Sequence, residues 1–181
     1  AKARQSACQS NLKQIGQAFQ MYIQDYDETY PWVSADIFPG TSVQRVWNEL
    51  LETYSSSKLR NKGSIYYCPD TRSVDWSNTY GVLFTGPLRW KPNGKIAGAS
   101  KWYAYPPAAA AKLDSPSQTI LVADSRANNT VNDLTADYVI YNLGSGANTV
   151  HLFGPWHNNM SNILFADGHV SVRNTAALQS W

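Results

Sequence analysis

The residues able to do chemistry are few and widely spaced. Three histidines (His151, His157 and His169) and two carboxylates beside apolar runs, Asp124 and Asp167, are of the types that hold zinc or iron or move protons. Spacing argues against joining His157 to Asp167. With residues 162–166 extended at about 3.3 Å each, more than about 10 Å separates His157 from the turn that carries Asp167. Asp167 is explained by that turn, and His169 reads as a solvent-facing neighbour of Ala166. There is no Gly-x-Ser-x-Gly elbow, no cysteine adjacent to a plausible histidine and no glycine-rich phosphate loop. Nothing here gives a reason to propose an enzyme.

Two further constellations bear on binding. The loop from Asp124 to Asp137 is dense in oxygen donors, with Asp124, Asp133 and Asp137 as candidate calcium ligands. It lacks EF-hand spacing, and a solvated loop is the plainer reading. Trp90 and Trp102 lie in loops rich in Gly and Pro, where they could stack on sugar rings in a secreted carbohydrate- or ligand-binding module. Packing a long loop onto a sheet is the commoner use of such residues. Cys8 and Cys68 could pair, closing a loop of about 60 residues, or be two unrelated buried thiols; a pair would indicate an oxidising compartment.

The elements that must position these residues follow from periodicity. Residues 2–27 read as one amphipathic helix, with Leu12, Ile15, Phe19, Tyr22, Ile23 and Tyr26 on a single stripe. Gly16 and Ala18 allow a close neighbour, and Tyr30-Pro31 ends the helix. No Ser, Thr, Asp or Asn precedes it as a cap, so the helix is expected to continue upstream of Ala1. A second helix is expected near Val43–Tyr54, capped by Thr41 or Ser42. Strands are expected at Ile65–Cys68, Thr79–Phe84 and Tyr138–Asn142, with long loops from Gly86 to Lys112. Thr119–Asp124, a continuous run rich in β-branched residues, should be a central buried strand. Asp167-Gly168 suits a two-residue hairpin loop with positive φ at both positions. Such a turn pairs Phe165 with Val170 and Ile163 with Val172 on one face, and Asn162 with Arg173 on the other. The class is α+β, a long helix on a mainly antiparallel sheet, within a single domain of 1–181.

Composition narrows the functions. The chain has 181 residues, 43% apolar and 15% charged, enough for a folded domain with a core. A net charge of +2 with no Lys/Arg block gives no electrostatic case for nucleic acid. No apolar run reaches the roughly 18 residues needed to span a bilayer.

Residues 3–18, Ala-Arg-Gln-Ser-Ala-Cys-Gln-Ser-Asn-Leu-Lys-Gln-Ile-Gly-Gln-Ala, resemble the start of the soluble part of type II secretion pseudopilins and type IV pilin-like proteins. More narrowly, His157, the nine residues 158–166 and Asp167-Gly168 resemble a bacterial subgroup with a C-terminal His-x9-Asp-Gly signature. Tyr67-Cys68-Pro69-Asp70, Asn78-Thr79-Tyr80-Gly81 and Ser115–Asp124 are similar landmarks, so the resemblance runs from end to end. It implies a pilin-like fold and a non-catalytic structural subunit that polymerises with itself and with other pilin-like subunits. Its expected place is the bacterial cell envelope, anchored in the inner membrane by an upstream hydrophobic helix, with a periplasmic or surface-exposed head at residues 31–181. The resemblance favours pairing of Cys8 with Cys68, because cysteines recur at both places in relatives. It makes His157, Asp167 and Gly168 structural. Some family members bind calcium, but their ligands have no residue-by-residue match here. The Gly-rich stretch that usually follows the histidine is replaced by Asn158-Asn159-Met160-Ser161.

Overall fold

A computed structural model describes residues 2–32, 34–36, 44–59, 63–71, 80–83, 87–88, 108–127, 139–140 and 151–178. The long helix α1 spans Lys2–Asp25 and buries Cys8, Leu12, Ile15, Phe19, Tyr22 and Ile23 along one stripe. Gly16 lies on that stripe, where a Cβ would stand 3.0 Å from Leu164 Cδ1; the missing side chain lets the helix settle on the sheet. Tyr26, expected on the stripe, is instead exposed and stacks on Tyr22 with ring centroids 4.2 Å apart. The helix also stops before Tyr30-Pro31. Asp27 and Glu28 turn left-handed, at φ 49° and 56°, and the Glu28 N–H reaches back to the Ile23 carbonyl at 2.8 Å. That is a Schellman-type ending made without glycine.

The strands are β1 (Ser34–Asp36), β2 (Gln44–Val46), β3 (Tyr80–Leu83), β4 (Ile120–Ala127), β5 (Val139–Ile140), β6 (His151–Phe153), β7 (Met160–Phe165) and β8 (Val170–Asn174). β1 and β2 form a separate antiparallel pair. The main sheet runs β5-β3-β4-β7-β8, antiparallel except for the β3–β5 pair. β6 pairs with the C-terminal half of β4, and β7 with its N-terminal half. The architecture is therefore α+β. As the β-branched run suggests, β4 is central, and Leu121, Val122 and Ala123 are buried. Val82, Val122 and Leu164 join the α1 stripe in the larger core, while Ile120, Ala123, Ile163, Phe165 and Leu178 form a smaller core.

Three local expectations are corrected. The C-terminal hairpin is one residue out of the expected register: Leu164 lies opposite Val170, Ile163 opposite Ser171 and Asn162 opposite Val172. The Gly168 N–H bonds the Phe165 carbonyl and the Phe165 N–H bonds the His169 carbonyl, so the loop has three residues. Only Gly168 takes positive φ (88°), as a three-residue loop ending in a bulged glycine requires. A one-residue slip exchanges the faces, and Asn162 consequently points to the same side as Val172 rather than pairing with Arg173. Residues Ile65–Cys68 are consecutive turns rather than a strand; the Tyr67 N–H bonds Ser64 O at 3.0 Å and the Thr71 N–H bonds Cys68 O at 3.0 Å. The second helix is only α2 (Trp47–Leu51) plus a tighter turn at Glu52–Tyr54, since residues 44–46 are strand. Glu49 caps α2 by accepting the Val46 N–H at 3.1 Å; Thr41 and Ser42 lie outside the described residues. A last short helix, α3, spans Thr175–Leu178.

Candidate functional site

Among the described residues, one buried cluster gathers sulfur, imidazole and carboxylate groups from across the chain. It begins on α1. Cys8 is bonded to Cys68, with Cα atoms 5.3 Å apart and 60 residues between them in sequence. Arg4, one turn earlier, forms an ion pair with Asp70. Cys68 and Asp70 share a tight turn in which Pro69 supplies the fixed φ favoured at the second position. The Thr71 N–H and hydroxyl both close on the Cys68 carbonyl, at 3.0 and 2.9 Å. This turn aims the Asp70 carboxylate back at the disulfide.

His157 reaches the same place from residues 154–159, which leave the sheet between β6 and β7. The Gly154 N–H bonds the Asp124 carbonyl at 2.7 Å. Any Cβ on Gly154 would run into the Trp156 indole, which folds over it and donates to Ser125 O at 3.0 Å. Asn158 and Asn159 both take positive φ, 53° and 62°, while His157 and Met160 exchange backbone hydrogen bonds. This is the pattern of a two-residue primed turn. Asparagine tolerates that conformation better than other non-glycine residues, so Asn158-Asn159 can do what glycines would do. The turn directs the imidazole inward, where it is buried.

There His157 Nδ1 lies 2.7 Å from Asp70 Oδ2, and Nε2 lies 3.5 Å from both Cys68 Sγ and Asp124 Oδ2. Asp124 is fully buried on β4, and its Oδ2 accepts the Asn162 N–H at 2.6 Å and Asn162 Nδ2 at 2.9 Å. Its Oδ1 has no partner. Tyr80, opposite Asp124 on β3, sends its hydroxyl to the Cys8 carbonyl at 3.4 Å. Arg4 and Cys8, Cys68 and Asp70, Tyr80, Asp124, His157 and Asn162 thus converge from six segments.

The charges are balanced. Burial pushes the Asp124 carboxyl up to about 8, against the hydrogen bonds from Asn162, so it is mainly the neutral acid at pH 7. Burial also lowers the His157 pKa, against the pull of Asp70, and leaves the ring uncharged. Burial raises the Asp70 carboxyl, but hydrogen bonds from Arg4 and His157 outweigh it and hold the group below its ordinary value. One cation, the exposed Arg4, therefore faces one anion, Asp70, whose carboxylate is almost buried. The His157 Nδ1–H donates to Asp70.

The line Asp70–His157–Cys68 has the shape of a nucleophile relay. However, its sulfur is tied to Cys8, and Cys68, His157 and Asp124 are buried from solvent. What the cluster does in this state is fasten α1 to the turn at 68–71, to β4 and to the excursion carrying His157.

The other expected site residues lie elsewhere or outside the described residues. Asp167 and Gly168 form the hairpin turn, where Asp167 Oδ1 accepts the His169 N–H at 3.1 Å and His169 Nδ1 lies 2.6 Å from it. The His169 ring stacks on Phe165 with centroids 4.3 Å apart, rather than sitting beside Ala166. Asp124 belongs to the buried cluster and not to a solvated calcium loop; Asp133 and Asp137, like Trp90 and Trp102, lie outside the described residues. Sequence reasoning missed Arg4, Asp70 and Asn162 as partners. No local pattern marks them as partners, because each reaches the cluster only through the tertiary fold.

No family model matches the chain, and no curated protein or solved structure matches it. Among the described residues, no helix is long and apolar enough to cross a membrane.

Proposed function

We propose that this chain is the head of a pilin-like subunit that acts by polymerising in a type II secretion pseudopilus or a type IV pilus-like filament, and that it has no catalytic role. The observation that carries this reading is the two-sidedness of α1. Over 24 residues, about 36 Å at helical rise, one stripe is sunk into the sheet. The opposite face presents Lys13, Gln14, Gln17, Gln20 and Gln24 to solvent. A long polar helix edge held rigidly on a sheet suits lateral contact with copies of itself and with related subunits. The buried histidine cluster supports the same reading, because it ties α1 to the rest of the head through the disulfide and the bonds of Asp70 and His157. The cell envelope is the compartment that fits a buried disulfide in such a subunit.

The test is cross-linking in the cells that make the protein. Gln17→Cys and Gln24→Cys variants of the full chain, treated with a short bismaleimide, should give a ladder of covalent oligomers, and deleting the gene should impair secretion, piliation or surface attachment. Monomers alone from both variants, with all three properties intact after deletion, would overturn the proposal.

A further inference from the structure

The disulfide cluster contains more ligating groups than a cross-link needs. Cys8 Sγ, Cys68 Sγ and a ring nitrogen of His157 lie within 4.8 Å of one another, and all three residues are buried. His157 Nε2 stands 3.5 Å from Cys68 Sγ and 3.5 Å from Asp124 Oδ2, an oxygen that lies outside the three-residue group and must close on the sulfurs to complete it. A tetrahedral zinc ion, with Zn–S about 2.3 Å and Zn–N or Zn–O about 2.0–2.1 Å, separates sulfur from nitrogen by about 3.5 Å and nitrogen from oxygen by about 3.3 Å. The outer partners are present as well. Asp70 fixes the proton on Nδ1 and leaves the Nε2 lone pair facing the sulfurs and Asp124, the arrangement that orients a metal-bound histidine. Asn162 holds one oxygen of Asp124, while the other is buried without a partner.

We propose that the chain, while its two cysteines are still thiols, binds one zinc ion through Cys8, Cys68, His157 Nε2 and the Asp124 carboxylate, and that disulfide formation expels it. Every chain passes through this dithiol state before oxidation. Binding releases one proton from each thiol and one from the carboxylic acid. Oxidation by an exogenous disulfide joins the two thiolate sulfurs, passes their two electrons to the oxidant as two new thiolates, and returns Zn2+ to solution. The cross-link and the metal are alternative clasps at one place, and this proposal does not depend on the filament reading.

The test is to unfold the chain in a phosphine reductant without oxygen and to refold it with Co2+ as the probe, followed by Zn2+. One cobalt per chain is expected, with the intense visible bands of tetrahedral Co2+ and a thiolate-to-metal charge-transfer band, both bleached by zinc. The disulfide form should bind none. His157→Gln and Asp124→Asn should each weaken binding about tenfold or more. Asp70→Asn should weaken it about 10- to 100-fold while keeping the thiolate band. Three outcomes would overturn the proposal: a natively folded reduced chain that takes up no cobalt, cobalt bands unchanged in both His157→Gln and Asp124→Asn, or a reduced chain that metal fails to fold.

Discussion

At the scale of single residues, the two histidines that flank β7 have opposite duties. His157 is sealed between Asp70, Asp124 and the disulfide, whereas His169 is a surface ring laid on Phe165 and tied to the neighbouring Asp167. Removing an imidazole from the buried site leaves a cavity and deprives Asp70 of a donor, each a recognised route to large destabilisation. His157→Ala should therefore cost about 2–4 kcal/mol. His169→Ala, at an exposed turn, should cost about 0.5 kcal/mol or less. Urea unfolding of the two variants against the parent measures both; equal losses would mean that the buried bonds of His157 contribute no more than a surface contact. The sequence separates these histidines only in part. Strand spacing keeps His157 away from Asp167, which is how the structure has it, but no local pattern could name Asp70 or Asp124 as partners, because they are 87 and 33 positions away.

At the scale of elements, α1 was legible because its stripe repeats with helical period, and β4 because a continuous apolar run rich in β-branched residues fits a strand buried on both faces. The hairpin register was not. Asp-Gly is compatible with a two-residue primed turn and also with a three-residue loop that needs positive φ only at glycine. The Gly168–Phe165 and Phe165–His169 bonds show that the second won. The run Ile-Tyr-Tyr-Cys misled for a related reason: its aromatic, β-type residues are buried by turns against α1 and α2 rather than by strand pairing. How α1 is secured to the rest is itself testable. The cross-link closes 60 residues, and on a chain-entropy account its loss costs about 4 kcal/mol. The Cys8→Ser/Cys68→Ser double variant should unfold at correspondingly lower denaturant, with hydrogen exchange in α1 faster near Arg4 and Cys8 than near Phe19, which stacks on Trp47. Uniform loss of protection along α1 would show that the disulfide supports the whole helix and not its first half.

At the scale of the whole molecule, the landmarks spread along the sequence make sense as one object. Cys8, Cys68 with Asp70, Tyr80, Asp124 and His157 lie in separate segments and meet in a single buried cluster, while Asp167-Gly168 shapes a turn elsewhere. This convergence was invisible in one sequence because it depends on tertiary approach and not on spacing. The cluster should also set how stability depends on pH in the disulfide form. Asp70, held below its ordinary 3.8, contributes stability that is lost as pH falls through its folded pKa. His157, held below 6.5 mainly by burial, adds a loss as pH falls from 6.5, because the unfolded ring takes up a proton that the folded one refuses. Asp124 acts in the other direction. Between its ordinary 3.8 and about 8 the folded chain keeps a proton that the unfolded chain has released, so stability falls as pH rises through that range. Below 6.5 the His157 and Asp124 contributions oppose each other; from 6.5 to about 8 Asp124 acts alone among the three. Stability should thus fall across that window with a slope of up to about 1.4 kcal/mol per pH unit. Asp124→Asn replaces the neutral acid by an uncharged group of the same shape whose oxygen can still accept from Asn162. The variant should lose the slope between pH 6.5 and 8 and equal or exceed the parent at pH 8. Urea midpoints measured in half-unit steps from pH 5.5 to 8.5 decide the matter, and a variant that keeps the parent's slope would place the titrating proton somewhere other than Asp124.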